Sequence, residues 1–378
     1  MKISFLLPCY AWSPSGGFKV VYEYANQLVA RGHEVSVIHP RRLKFSPPEK
    51  LTLRKLARMV RLRVHESFST PVINWHNIDP RVRLLYVPSS ADSYVPDADI
   101  LFATAWHTAR SVLECPPNKG EKCYLIQHYE TWMGAPKELV DATWRMPFRK
   151  IVIAQWLADL GRELGAYPLT YVPNGIDHSQ YHLTQPIERR PRQVVMMCSH
   201  VGFKASKDGI AALQLAKKEF PDLRVALFGN GYRPAWVPEW MSFAQDPPQQ
   251  HLVEQLYNGS SIMLSPSLAE GFGLPPAEGA ACGCAIVATD IGGHREYIEN
   301  AVTGLLSPPQ DPGALARNLC TLLANDDIRI RLAQAANESI KKFTWERSTD
   351  LLEAFASQAV ERRPELVRPP SSVLVSSA

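Results

Sequence analysis

No run in this chain approaches the roughly 20 consecutive apolar residues that a membrane-spanning helix needs. Bias toward charge of one sign is also missing: 41 Lys and Arg face 37 Asp and Glu over 378 residues. A net charge of +4 on that length makes no electrostatic footprint for nucleic acid, and no nucleic-acid partner is expected. Cysteine is scarce and unpatterned. Of the seven, the closest two, Cys282 and Cys284, lack a second pair or a His-x3-5-His, which argues against a disulfide framework and a zinc site and fits a reducing cytoplasm. No Gly-x4-Gly-Lys-Ser/Thr occurs, so a P-loop kinase is excluded.

What is present is ordinary globular material, 46% hydrophobic and 21% charged, at a length two to three times that of the commonest single domains. Two domains are expected. The 31 prolines are dispersed, several as pairs such as Pro47-Pro48 and Pro308-Pro309, and read as loop punctuation. The opening Met1-Lys2-Ile3-Ser4-Phe5-Leu6-Leu7-Pro8 has too short an apolar run for a leader and reads as a first strand.

That strand is followed by Gly16-Gly17, by Val20, Val21, Tyr24, Leu28 and Val29 at helical spacing, and by Glu34-Val35-Ser36-Val37-Ile38, which reads as a second strand. Strand, glycine loop, helix and strand within about 40 residues make a βαβ unit and imply a parallel sheet. Ile100–Ala103, Lys122–Ile126 and Lys150–Ala154 continue it, and the pattern restarts at Val194–Met197, Arg224–Phe228, Ile262–Leu264 and Ala285–Ala288. The expected organisation is a first α/β domain over 1–178, a linker over 179–192 and a second α/β domain over 193–343. A helix over 344–362 with Leu351, Leu352, Phe355 and Val360, and a Pro- and Ser-rich mobile tail over 363–378, complete it. Residues 44–63 carry Lys44, Lys50, Arg54, Lys55, Arg58, Arg61 and Arg63 with Leu53, Leu56, Met59 and Val60 interleaved. That pattern suits either a solvated helix face or peripheral contact with an anionic membrane.

The most informative stretch is Ser265 to Ala280, which leaves the strand Ile262–Leu264, passes Glu270-Gly271-Phe272-Gly273-Leu274, and enters a helix that Pro275-Pro276 can start. Loops at the carboxyl ends of parallel strands bind ligands. Unpaired amides over Gly271 to Leu274 and the positive helix end make an anion site suited to a diphosphate. Glu270 before the loop can accept sugar hydroxyls, and Glu278, eight residues on, can hold a ribose diol. Taken singly, Glu278 would be a helix-dipole acid and Glu270 a loop acid; the pairing around a glycine loop is the specific signal.

This E-x7-E stretch, with Pro266-Ser267 before it, resembles the signature of retaining, nucleotide-sugar-dependent glycosyltransferases of family 4. Tyr171-Val172-Pro173-Asn174-Gly175-Ile176-Asp177 is similar to that family's "viPNGvD", and Val287 to Glu296 with Thr303-Gly304-Leu305-Leu306 is similar to its "vatdvGG…E…tGll". The resemblance implies a GT-B fold, two Rossmann-like domains facing across a donor-binding cleft. It implies no cofactor and no metal, a UDP-sugar as default donor, and a saccharide, lipid-linked or small-molecule acceptor. Residue by residue, it places Glu270 on the transferred sugar, the amides of Gly271, Phe272, Gly273 and Leu274 on sugar and phosphate, and Glu278 on the ribose. Gly16 and Gly17 would close over the diphosphate, and His128 would lie near the anomeric carbon and acceptor as a catalytic partner of Glu270. His107 matches a second family histidine less clearly.

Where the family commonly has Arg and Lys-Gly, this chain reads Phe203-Lys204-Ala205-Ser206-Lys207-Asp208-Gly209, so either Lys204 or Lys207 is left to neutralise phosphate. Asp97-Ala98-Asp99 imitates a metal motif but precedes its strand and is read as a surface loop. Rival readings are a paired-carboxylate glycosidase using Glu270 and Glu278, a dehydrogenase suggested by Gly229-Asn230-Gly231 but spoiled by Pro234, and a non-enzymatic carbohydrate-binding protein.

Overall fold

A computed structural model describes residues 1–45, 73–131 and 135–361. Most of the basic stretch 44–63 and the tail 363–378 fall outside the described residues. Among those described, no helix is long and apolar enough to cross a membrane.

The chain forms two all-parallel sheets. The first has seven strands: β1 (Lys2–Leu6), β2 (Glu34–Pro40), β3 (Arg83–Val87), β4 (Ile100–Ala103), β5 (Glu121–Ile126), β6 (Arg149–Val152) and β7 (Leu169–Tyr171), in the order 3-2-1-4-5-6-7. The second has six: β8 (Gln193–Met197), β9 (Arg224–Gly229), β10 (Ser242–Gln245), β11 (Ile262–Ser265), β12 (Ala285–Thr289) and β13 (Leu305–Ser307), in the order 10-9-8-11-12-13. Central strands are near-continuous apolar runs because helices cover both faces. Register pairs Phe5 with Phe102, and their rings stack at 5.0 Å. In the second sheet Met263 pairs with Ile286 and Val195.

In each sheet the chain winds outward on one side of its first strand and then returns to the other. The switch points therefore lie between β1 and β4 and between β8 and β11, where ligands collect at the carboxyl ends. The β1 switch leads into α1 (Gly16–Ala30), and β11 leads into α6 (Leu274–Ala281). Between them come α2 (Trp106–Leu113), α3 (Lys137–Arg145), α4 (Gln155–Glu163) and α5 (Ser206–Glu219). After them come α7 (Gly292–Arg295), α8 (Pro312–Ala324), α9 (Asp326–Ile340) and α10 (Trp345–Glu361).

The last helix, α10, returns to the first domain. Leu352, Ala356 and Ala359 are buried there, Trp345 meets Tyr24 edge-on at 5.3 Å, and Arg31 and His33 both reach Glu353 at 2.8 Å. Leu351 faces outward. The crossing point is tight. Ile176 donates its amide to the Phe343 carbonyl at 3.0 Å, and Ser348 Oγ donates to the Pro173 carbonyl at 2.7 Å.

The segment 179–192 differs from a loose linker. Tyr181, Ile187 and Arg190 are buried, with the Arg190 guanidinium donating to the carbonyls of Tyr257 and Ser260 and to Asn258 Oδ1. These anchors stand singly between polar residues, so no periodicity betrays them. The segment is strapped to the second domain by these contacts. The edge strands β3, β7 and β10 also escaped the sequence reading, being short and half-exposed.

A methyl added at Gly175 would land on the backbone of Thr344 and Trp345, whereas one at Gly202 meets nothing within 4 Å. Gly175→Ala should therefore destabilise the fold by about 2 kcal/mol or more, read as a lower unfolding midpoint, with Gly202→Ala as the near-silent control.

Candidate functional site

The two switch-point loops face one another, and glycine permits the approach. Gly271, in the loop after β11, backs onto the Gln127 carbonyl just beyond β5, where a methyl would coincide with the oxygen. Gln127 Nε2 in turn donates to the Gly17 carbonyl at 3.1 Å, and Trp156 Nε1 on α4 donates to the Gly271 carbonyl at 2.8 Å. Asn230 Nδ2 reaches the Pro14 carbonyl at 2.7 Å. Glu296 accepts from the Gln155 amide at 2.8 Å and from the Tyr171 hydroxyl. The first domain thus closes on the second around the loop.

Gly273 caps α6 with a φ of 90°, and a side chain there would press on the Tyr297 hydroxyl at 3.0 Å. That hydroxyl donates to the Gly273 carbonyl at 2.7 Å. Leu274 opens the helix, with the prolines following where their missing N–H costs nothing. The Phe272 ring is buried against Tyr297 (5.2 Å) and Phe343 (5.5 Å), so what this residue can offer a ligand is backbone. Gly16 opens α1 opposite, and a Cβ there would lie 3.9 Å from Leu274 Cδ1.

The two carboxylates have separate cations. Lys204 Nζ lies 2.6 Å from Glu270 Oε1, and Ser267 Oγ donates to the same oxygen at 2.8 Å. Burial alone would raise the Glu270 carboxyl, but the Lys204 ammonium outweighs it and holds the group below its ordinary value. Glu278, equally buried, receives Lys19 Nζ on Oε1 at 2.7 Å and the Tyr257 hydroxyl on Oε2 at 3.1 Å. Lys19 comes from the opposite domain. Its ammonium also donates to the Tyr181 hydroxyl at 2.9 Å and lies 4.6 Å from that ring's centre. Burial would lower its pKa, yet Glu278 and Tyr181 raise it.

Of the two lysines left open by the sequence, Lys204 is at Glu270 while Lys207 lies 5.9 Å from the Trp236 ring centre. His128 follows β5, its Nδ1 3.1 Å from the Tyr129 carbonyl and its ring edge-on to Trp156 (6.1 Å) and Phe203 (5.9 Å). Burial lowers its pKa and favours neutral imidazole. His107 lies over Trp106 at 4.4 Å. Asp97 pairs with Lys119 at 2.8 Å at the amino end of β4, on the far edge from the crevice.

Sequence reasoning missed Lys19, Gln127, Trp156, Tyr181 and Tyr257. None stands in a motif of its own; Lys19, two residues beyond the glycine pair, had the nearest signal.

Comparison with known proteins bears on the same half of the chain. Residues 192–325 match the family model described as Glycosyl transferases group 1. A D-inositol 3-phosphate glycosyltransferase of Xylanimonas cellulosilytica is 33% identical over 151 residues, 37% of this chain and 36% of that protein. One from Salinispora tropica is 36% identical over 122 residues, 32% and 25% of the two chains. These matches span about a third or less of the relatives' length.

Among solved structures, sucrose-phosphate synthase from Thermosynechococcus elongatus superposes with a TM-score of 0.71 at 17% identity, covering 96% of this chain and 100% of that one. Anabaena Alr3699/HepE in complex with UDP and glucose gives 0.71 at 16% identity, covering 95% and 100%. The fold is GT-B.

Behind Lys19, Glu23 is buried on the next turn of α1. Its Oε1 lies 3.8 Å from His76 Nε2. Burial, partly countered by Lys19 and reinforced by Asp177, Glu278 and Glu346, lifts the carboxyl from 4.5 to about 7, while burial lowers His76 to about 4. A raised carboxyl binds its proton more tightly when folded. Its contribution to stability is therefore full below pH 4.5, falls as pH rises, and levels off above about 7. The lowered His76 acts in the opposite sense between about 4 and 6.5, so the Glu23 contribution is isolated only by difference. Relative to the parent, Glu23→Gln should gain on the order of 2 kcal/mol between pH 5 and 8, measured by urea midpoints. A pH-independent difference would contradict this.

Proposed function

We propose that this chain, whose residues 192–325 are a group 1 glycosyl transferase domain within a GT-B fold, transfers a sugar from a nucleoside diphosphate sugar to an acceptor hydroxyl. The observation that carries the reading is the Glu270-to-Glu278 glycine loop at the β8/β11 switch point, opposed by Gly16 and Gly17 at the β1/β4 switch point. A crevice with helix amino ends on both walls suits a diphosphate, whose charge grows as it leaves.

In this reading the backbone of Gly271 to Leu274 and the α6 dipole take the diphosphate, Glu278 takes the ribose diol, and Glu270 takes hydroxyls of the transferred sugar. Fixed dipoles and lysine ammonium groups stabilise the leaving charge, and the mechanism calls for no metal. His128, kept neutral by burial, lies beside the lysine-held Glu270, suited to orienting the acceptor and reacting carbon rather than to carrying positive charge. The stereochemical outcome is retention, with the leaving phosphate helping to deprotonate an acceptor hydroxyl on the same face. A UDP-sugar is the default donor, in keeping with the UDP in the Anabaena Alr3699/HepE structure. The acceptor is a saccharide, a lipid-linked saccharide or a small molecule, and the reaction belongs to the cytoplasm.

The Lys204 ammonium, which holds the buried Glu270 carboxyl below its ordinary value, speaks against a glycosidase that would use Glu270 as its protonated acid. A purely carbohydrate-binding protein would have no use for the diphosphate loop.

The experiment is a thermal-shift and turnover screen over UDP-, GDP- and dTDP-sugars. Glu278→Ala should weaken nucleotide affinity about tenfold or more. His128→Ala should lower turnover about a hundredfold while changing donor affinity little. The reverse pattern would mean exchanged roles, and glycoside hydrolysis without use of any nucleotide sugar would overturn the proposal.

A further inference from the structure

We propose that Lys19 is a positioning residue for the donor's diphosphate, contributed by the first domain, so that the nucleotide end of the site is complete only when the domains touch. This rests on the glycosyl-transfer reading above and adds to it a charged group that no sequence motif marked.

A nucleoside diphosphate leaving group is a multiply charged anion, while the amino end of α6 supplies the equivalent of only about half a positive charge. Within the second domain, Lys204 pairs with Glu270 at 2.6 Å and Lys207 sits over Trp236; Lys19 is likewise paired, with Glu278 at 2.7 Å, but reaches it from the opposite domain and at the other end of the loop. Lys19 stands differently. It belongs to the first turn of α1, whose opening Gly16 approaches the opening Leu274 of α6. Its ammonium ends on Glu278, one turn into that helix. The lysine arm therefore runs beside the first turn of α6, where the diphosphate would lie, and terminates at the carboxylate assigned to the ribose.

Lys19 need not leave for the donor to enter. A carboxylate offers about four lone-pair positions, and Glu278 has spent one on Lys19 and one on Tyr257. A diol can take others while the ammonium holds the carboxylate plane in place. Tyr181 fixes the lysine from the second side, by its hydroxyl and its ring face. The ammonium, on a side chain only 18% exposed, is thus pre-placed between two anions, one of the protein and one of the ligand. Because Lys19 is on α1 and Glu278 on α6, an open cleft would separate them, and the diphosphate would lose a cation.

The test uses the full chain and its Lys19→Met and Lys19→Arg variants. Calorimetry first identifies which of UDP, GDP and ADP binds best, and competition NMR then measures that diphosphate and its phosphate-free nucleoside side by side. Lys19→Met should weaken the diphosphate about tenfold or more while changing the nucleoside less than about threefold, and Lys19→Arg should recover most of the loss. Equal loss for both ligands would reduce Lys19 to a support for Glu278 and overturn the proposal. An unchanged or tightened diphosphate would make the lysine a competitor of the ribose, with the same consequence. If the parent chain binds none of the three diphosphates, the glycosyl-transfer reading itself fails and this inference with it, a result distinguishable from failure of Lys19 alone.

Discussion

Two buried carboxylates set the terms for everything else in the crevice. An ionised carboxylate removed from water is tolerated only when a cation and hydrogen bonds replace the lost hydration. Glu270 meets the requirement within its own domain, through Lys204 and Ser267. Glu278 takes a hydrogen bond from Tyr257 of its own domain but its cation, Lys19, from across the cleft. The first pairing is therefore independent of how the domains sit, and the second is not. A buried pair of this kind is weak evidence of stability, because desolvation offsets most of the attraction, but it is strong evidence of placement. It ties Glu270 to one domain and Glu278 to both.

The close approach that makes this possible is a matter of missing atoms. Gly271 against the Gln127 carbonyl, Gly292 against Trp156 and Gly293 against the Glu270 backbone each leave no room for a methyl. Their main chain reaches surfaces that side chains would hold apart, and in doing so it brings polar backbone toward the crevice. Phe272, between two of the loop glycines, is turned the other way, packing on Phe343 at the crossing point between domains. One loop thus touches the anion site, the first domain and the joint.

Much of this was legible in the sequence, for physical reasons. Central strands such as Ile100–Ala103 and Ala285–Thr289 are buried on both faces and so appear as uninterrupted apolar runs. The glycine loop was legible because Gly, Pro and Glu each answer a separate local demand at a fixed spacing. The strap over 179–192 was not, since Tyr181, Ile187 and Arg190 are isolated anchors whose partners lie far along the chain. Lys19 and Tyr257 were not either. A lysine on an amphipathic helix reads as a solvated face until the opposite domain is in place, and a tyrosine beside buried apolar residues such as Val253 and Leu256 reads as core.

That asymmetry explains where relatives are found. The family match falls on 192–325, the part that holds the glycine loop with Glu270 and Glu278. Under the proposed reading, donor chemistry fixes those groups whatever the acceptor, while the first domain need present only α1 to the donor and is left to vary beyond β2 and β4. Whole-chain superposition at 16 to 17% identity, beside sequence matches limited to about a third of the chain, is the pattern that this division produces. Packing constrains residue classes and so preserves shape, whereas the nucleotide end constrains individual residues. Lys19, on a helix of the first domain, has its contacts on Glu278 and Tyr181, so those contacts become visible only when both domains are viewed together.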